Sequence, residues 1–283
     1  MADAKPTIRE LLAQALVLLH GDSARLDAEV LLAACLGRPR SYLHAWPEHA
    51  VDAPARSQFN DWINRRAAGE PVAHLTGERE FWSLPLTVTP DTLIPRPETE
   101  ALVELVLARM TPGMPYRVAD LGTGSGAIAL AIASERPRCE VIATDASTAA
   151  LAVARSNAER LGIRNVQFLA GHWCEPLPAT PFDIILSNPP YIDPHDPHLA
   201  DGDVRYEPRS ALVAGGEGMD ELAQIASCAF AQLKPGGWLA VEHGFDQGDR
   251  TLRLLHSTGY AEVSDHPDAA GLSRVTLGRR PAG

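Results

Sequence analysis

The chain has 283 residues, 45% hydrophobic and 22% charged, with a formal net charge of -11. That length holds one large α/β domain or a smaller one with an appendage, and the composition is ordinary globular material. The acidic balance argues against a protein that holds nucleic acid mainly through its phosphates, so no direct nucleic-acid binding is expected.

Residues 1–70 read as a small helical bundle. Thr7-Ile8-Arg9-Glu10 has the T-x-x-E form of a capping box, and Leu11, Leu12, Ala15, Leu18 and Leu19 fall on one face behind it. Asp27 to Leu36 is a second helix that Gly37 and Pro39 can end. Ala55 to Ala68 is a third, with Phe59, Trp62 and Ile63 apolar. Leu11 to Leu19 is apolar, but Gln14 interrupts it, Asp3 and Glu10 flank it, and no cleavage site follows. No run reaches the ~18 apolar residues of a membrane span. The four cysteines, Cys35, Cys139, Cys174 and Cys228, form no C-x-x-C pair, which suits reduced thiols better than a zinc site or a disulfide framework. The cytoplasm is the expected location.

Residues 71–97 change texture to short extended pieces: His74-Leu75-Thr76, Glu80-Phe81-Trp82 and Leu86-Thr87-Val88, separated by Gly77 and Pro85. They predict a hairpin-like connector that ends in the loop Ile94-Pro95-Arg96-Pro97-Glu98. From residue 98 to 283, strand and helix alternate after a helix running to about Met110. Strands are expected near 118–121, 140–144, 166–169, 182–187, 238–242, 260–263 and 274–277. Lys234-Pro235-Gly236-Gly237 reads as the turn before the fifth. The pattern predicts an α/β fold with a doubly wound, mostly parallel seven-stranded sheet, its ligands at the carboxyl ends of the strands.

Two motifs fall at those ends. Gly122-Thr123-Gly124-Ser125-Gly126 follows the first strand of the alternating region and opens a helix. Its glycines permit a tight turn and close backbone approach, and the helix start presents free amides. With Ala127 and Asp145, the loop also fits the dinucleotide fingerprint. Asp145 can accept both ribose hydroxyls or cap the next helix. Asp120 can brace the loop or meet an ammonium group. Trp173 can lie against an adenine or fill the core.

The second motif is Asn188-Pro189-Pro190-Tyr191, after the apolar strand Phe182–Ser187. Each proline biases the residue before it toward extended geometry, which fixes the direction of the Asn188 side-chain oxygen and the Pro189 carbonyl. Those acceptors suit the two hydrogens of a planar NH2 group, and Tyr191 can pack on its face. An amide nitrogen is a poor nucleophile, since conjugation holds its lone pair; the rotation barrier of about 18–20 kcal/mol measures what is at stake. Together the motifs point to methyl transfer from S-adenosylmethionine, leaving S-adenosylhomocysteine, onto an amide or amine nitrogen. An adenine-N6 methyltransferase would use the same turn on a flipped base. A nicotinamide-dependent oxidoreductase would explain the glycine loop and leave Asn188 to Tyr191 without a task. His172 and Cys174, and His195 and His198, form no complete ligand set, so no metal is expected. Arg205, Glu207 and Arg209 read as a surface charge cluster.

Further motifs carry a resemblance. Pro71-Val72-Ala73-His74-Leu75-Thr76-Gly77, Glu80-Phe81-Trp82, Leu93-Ile94-Pro95-Arg96-Pro97-Glu98-Thr99-Glu100, the glycine loop, Asn188 to Tyr191 and Arg274-Val275-Thr276-Leu277-Gly278-Arg279 resemble the bacterial HemK/PrmC family, nearly end to end. The resemblance implies a class I, Rossmann-like methyltransferase that modifies N5 of the glutamine in the Gly-Gly-Gln motif of peptide chain release factors, tuning translation termination. It implies that Gly122, Thr123, Gly124, Ser125, Gly126, Asp145, Trp173 and Asn188 contact the cofactor. Asn188, Pro189, Pro190 and Tyr191 would hold the glutamine, with Asn188, Pro189 and Tyr191 catalytic. The helical residues 1–70 would help recognise the release factor, and Pro95-Arg96-Pro97-Glu98 would lie beside the pocket. Ser125 stands where many members carry threonine, a mild departure.

Overall fold

The computed structural model describes residues 5–200 and 202–282. They divide into two compact units, Met1–Gly77 with Asp201–Tyr206, and Glu78–Ala200 with Glu207–Gly283.

The helical unit contains α1 (Ile8–Leu18), α2 (Ala24–Leu36), α3 (Arg40–Ala45), α4 (Ala53–Ala67) and α5 (Val72–Thr76). The capping box at Thr7 forms, with Thr7 N–H donating to Glu10 Oε2 at 2.8 Å and Glu10 N–H to Thr7 Oγ1 at 3.3 Å. Ile8, Leu11, Leu31, Leu32, Leu43, Phe59 and Ile63 make its core. Buried Glu29 is held by Arg25 at 3.0 Å and Arg40 at 2.8 Å. Arg66 bonds Asp27 at 2.8 Å and Asp203 at 2.6 Å, which ties the later segment to this unit. One expectation fails here, and one helix carried no signal. Helix α3 went unread, because six residues between Pro39 and Trp46 carry too short a period to show. His74-Leu75-Thr76 is helical rather than extended: Pro71 starts a single turn and Gly77, at φ 73°, stops it.

In the second unit, β1 (Glu78–Phe81) and β2 (Leu84–Thr87) form the antiparallel hairpin. Trp82 and Ser83 make its two-residue turn at φ 52° and 59°, a conformation usually given to Asn-Gly. Glu100 Oε1 accepts from Trp82 N–H at 2.9 Å, and Glu135 Oε1 from its indole N–H at 3.0 Å, so neighbouring carboxylates hold the turn. A 3-10 turn (Pro97–Thr99) leads into α6 (Glu100–Leu107).

The chain then runs β3 (Arg117–Leu121), α7 (Ala127–Glu135), β4 (Glu140–Asp145), α8 (Thr148–Leu161), β5 (Val166–Ala170) and β6 (Phe182–Ser187). It continues through α9, a kinked turn (Gly215–Gly218), α10 (Asp220–Gln232), β7 (Leu233–Glu242), α11 (Gly248–Thr258), β8 (Ala261–Pro267) and β9 (Ser273–Arg279). The seven-stranded sheet has the order β5-β4-β3-β6-β7-β9-β8, parallel from β5 to β7, with β9 and β8 antiparallel. Two apolar layers cover it, one built with Leu102, Ile128 and Ala158, the other with Ile225 and Leu255. Lys234-Pro235-Gly236-Gly237 is not a separate turn: it lies inside β7 as an irregularity opposite Asp183, whose carboxylate takes the Lys234 ammonium at 2.7 Å.

The strand order reverses between β3 and β6, since β3 continues to β4 on one side and β6 to β7 on the other. Ligands of such sheets bind in the crevice above that switch point. Leu121 and Ser187 are register partners there, and Ser187 Oγ donates to the Leu121 carbonyl at 2.7 Å. The residues that follow them, Gly122 and Asn188, therefore leave the sheet side by side.

The cysteine expectation also fails. Cys174 and Cys228 are joined in a disulfide, 54 residues apart in sequence, while Cys35 and Cys139 stay free. No sequence spacing announces the pair, because the fold brings the segment after β5 onto helix α10. Among the described residues, no helix is long and apolar enough to cross a membrane.

Candidate active site

The glycine loop is fixed from beneath. Gly122 and Thr123 N–H both donate to the Thr144 carbonyl at 2.9 Å, and Gly126 N–H to that of Thr123. Gly122, Gly124 and Gly126 have φ of 75°, 56° and 86°, where any side chain is strained. A Cβ at Gly122 would also lie 2.9 Å from the Trp173 ring, whereas one at Gly124 would meet nothing within 4 Å.

Asp120 takes the bracing role left open by its sequence position. Its Oδ2 accepts from the Thr123 hydroxyl at 2.6 Å and from Ala129 N–H at 3.1 Å, while Oδ1 has no partner among the described residues. Burial pushes its carboxyl up to about 7. Asp145 likewise holds the loop, with Oδ2 accepting from Gly124 N–H at 2.9 Å and Oδ1 from Ser147 N–H at 2.8 Å. Each oxygen retains a lone pair for a ligand hydroxyl. Ser147, not Asp145, caps α8 through Ala150 N–H.

Trp173 sits at φ 45° with its carbonyl accepting from Thr144 Oγ1 at 2.9 Å. Its indole N–H donates to Glu221 Oε2 at 2.8 Å. The disulfide of the adjacent Cys174 binds this strained segment to α10, the helix that carries Glu221.

The turn at Asn188 to Tyr191 borders the cavity through Asn188 and Pro190. Asn188 Nδ2 donates to Thr99 Oγ1 at 3.1 Å, so its Oδ1 is the end left for a ligand. The Tyr191 hydroxyl donates to Glu242 Oε1 at 3.5 Å, and the Tyr191 carbonyl accepts from Gln247 Nε2 at 3.0 Å. Burial and the nearby Glu242 raise the Tyr191 pKa, which keeps its proton in place. Glu207 departs from the surface cluster expected of it. It is 5% exposed, accepts from Ile94 N–H at 2.8 Å and pairs with Arg96. It pins the Pro95–Glu98 loop.

One cavity is lined by Gly122, Gly124, Asp145, Trp173, Asn188 and Pro190, together with residues such as Asp91, His172, Ser210 and Glu221. Thr123, Ser125, Gly126, Pro189 and Tyr191 do not line it; Thr123, Ser125, Gly126 and Pro189 are buried. His195 is exposed, and the His198 side chain lies outside the described residues. Among the described residues, no group of three or more His, Cys, Asp or Glu is placed to hold a metal ion.

Residues 10–77 match the PrmC N-terminal domain, and residues 98–217 the methyltransferase small domain. The release factor glutamine methyltransferase of Aliivibrio fischeri is 51% identical over 94% of this chain and 94% of its own length. The chain belongs to the release factor glutamine methyltransferase family. A second such relative, from Yersinia pestis, is 54% identical over 92% of this chain and 94% of its own. The sheet is also that of a solved methyltransferase from Pyrococcus furiosus, at a TM-score of 0.55 and 19% identity, covering 78% of this chain and 99% of that one.

Sequence reasoning missed several residues that brace the site. Asn157 is one: its amide bonds the Thr87 carbonyl at 2.9 Å and the Ser125 carbonyl at 3.0 Å, joining hairpin, helix and loop. Thr99, Glu221 and Glu242 are the others. A signal existed for Glu242, an acid ending the apolar strand Trp238-Leu239-Ala240-Val241 on the ligand-binding edge.

Proposed function

We propose that this chain transfers a methyl group from S-adenosylmethionine to the side-chain N5 of the glutamine in the Gly-Gly-Gln motif of peptide chain release factors, in the cytoplasm. Family membership supports the reaction. The observation that carries the site assignment is the Leu121–Ser187 register, which opens the glycine loop and the acceptor turn onto one cavity.

The residues fit the cofactor. Gly122 leaves room only for the Trp173 ring above it, and the open position at Gly124 lets a ligand approach main chain. Gly122, Gly124, Asp145 and Trp173 would line its seat, with Thr123, Ser125 and Gly126 shaping the loop from behind. When bound, S-adenosylmethionine supplies an electrophilic methyl carbon. Asn188 Oδ1 and the Pro189 carbonyl accept the two amide hydrogens of the glutamine, so the nitrogen lone pair is aimed rather than activated. Net hydrogen bonds of roughly 0.5–1.5 kcal/mol each lower an amide-sized barrier little. Positioning can supply up to about 7–11 kcal/mol, and most of the catalysis is assigned to it. The methylated amidium is a strong acid and gives its proton to water, so the scheme needs no general base. The helical unit, residues 1–70 in the main, recognises the release factor.

Radiolabelled methyl transfer to a purified release factor, to an adenine-containing oligonucleotide and to buffer alone tests the reading. Label in the release factor is expected. Label in the oligonucleotide instead would make the turn an adenine site.

A further inference from the structure

Behind the acceptor turn stands a buried ionisable group that the scheme above does not use. Glu242 ends β7 and is 1% exposed. Its Oε1 accepts from the Tyr191 hydroxyl at 3.5 Å, and its Oε2 has no hydrogen-bond partner among the described residues. The Thr99 hydroxyl lies near enough to the same carboxylate to hold its pKa down. Thr99 Oγ1 is also the atom that takes Asn188 Nδ2 at 3.1 Å. Glu242 thus stands behind both ends of the turn.

We propose that Glu242 is a positioning residue for methyl transfer: as a carboxylate it draws the hydroxyl protons of Thr99 and Tyr191, and so fixes the carboxamide of Asn188 and the ring of Tyr191. The inference rests on the reading of the acceptor turn given above.

Donors and acceptors set the orientation of the carboxamide. A hydroxyl has one proton to give, and an ionised carboxylate only accepts. With Glu242 ionised, the Thr99 proton turns toward it and Thr99 Oγ1 presents a lone pair to Asn188. Only the NH2 end of Asn188 can meet a lone pair, which leaves Oδ1 for the substrate. A donor at position 242, either a protonated acid or an amide, reverses the chain. Thr99 Oγ1 then accepts from residue 242 and turns its own proton to Asn188, which favours Oδ1 there. The carboxamide flips, and the glutamine N–H meets an NH2 group.

The change falls in the neutral range. Burial pushes the Glu242 carboxyl up to about 7, and Glu98 acts in the same direction, whereas Thr99, Arg274 and Tyr191 hold it down. Arg274 and Arg96 act on the neighbouring Tyr191 hydroxyl.

Glu242→Gln is the direct test, with Thr99→Val and Thr99→Ser beside it. Glu242→Gln is expected to lower kcat at least about tenfold while cofactor affinity stays within about twofold. It should also abolish the acid limb near pH 7 of the wild-type rate profile. Thr99→Val should lose kcat similarly and Thr99→Ser should restore it, a pair that decides the matter if the Gln variant does not fold. Independently of any substrate, the 15N side-chain amide of Asn188, identified by its loss in Asn188→Ala, should titrate near neutral pH in the wild type and not in Glu242→Gln. Wild-type rates in Glu242→Gln and Thr99→Val, or an unchanged acid limb and amide titration in Glu242→Gln, overturn the inference. A wild type that labels no release factor defeats the substrate reading instead, and the amide titration still decides this one.

Discussion

Asn188 carries the heaviest burden of any single side chain, because its two ends face different tasks. Nδ2 is held by Thr99, and Oδ1 is the acceptor that the proposed reaction would use. Asn188→Ala is expected to cut methyl transfer by at least about a hundredfold, the scale of a misplaced reactant, while the protein stays folded and binds cofactor more weakly. Turnover near wild type in a kinetic assay would remove the assigned role. Asp145→Ala leaves the amides of Gly124 and Ser147 without their acceptor. Cofactor affinity measured by calorimetry should fall sharply; an unchanged value would reduce the residue to a brace for the loop. Asp120 and Glu242 give the fold a pH dependence of its own. Burial raises both carboxyls from below 5 to about 7 in the folded chain. The stability they allow is therefore fully present below their unfolded values and is lost as pH rises through about 7. The loss is on the order of 3 kcal/mol each. Denaturation midpoints at pH 6 and 8 check the sign for the cofactor-free protein.

Among the elements, the hairpin turn is the clearest case of local sequence overruled. Trp82 and Ser83 hold left-handed backbone without glycine or asparagine, and Glu100 and Glu135 compensate. Ser83→Gly relieves part of that strain and is expected to stabilise the chain by about 0.5–1 kcal/mol in urea denaturation. The elements that could be read beforehand share a property: their signal is local. Thr7 and Glu10 announce their helix within four residues, and Phe182–Ser187 is apolar at all but Asp183 and Ser187 because both faces of β6 are covered. The glycine loop and the turn at Asn188 were legible for the same reason, each being a contiguous run at the end of a strand. What escaped depends on contacts across the chain. Thr99 meets Asn188 across 89 positions, Glu207 meets Ile94 across 113, and Cys174 meets Cys228 across 54. Lys234 to Gly237 looked like a turn by composition and is absorbed into β7 because Asp183 and Arg280 supply its partners. Thiol titration of the unfolded, unreduced protein should find the free Cys35 and Cys139 alone; four reactive thiols would refute the disulfide.

For the molecule as a whole, two compact units divide the work assigned here. The described residues that line the cavity belong to the second unit. Removing residues 1–70 should therefore impair methylation of an intact release factor far more than cofactor binding, and equal losses would mark the region as structural. The net charge of -11 supports a protein substrate over a polyanion, though it acts on association and not on the chemistry. The most direct test is tandem mass spectrometry of a release factor incubated with this chain and S-adenosylmethionine. A single added methyl on the side-chain nitrogen of the Gly-Gly-Gln glutamine, absent with Asn188→Ala, is the predicted result. A methyl on any other residue, or none where the cofactor is bound, would contradict the account.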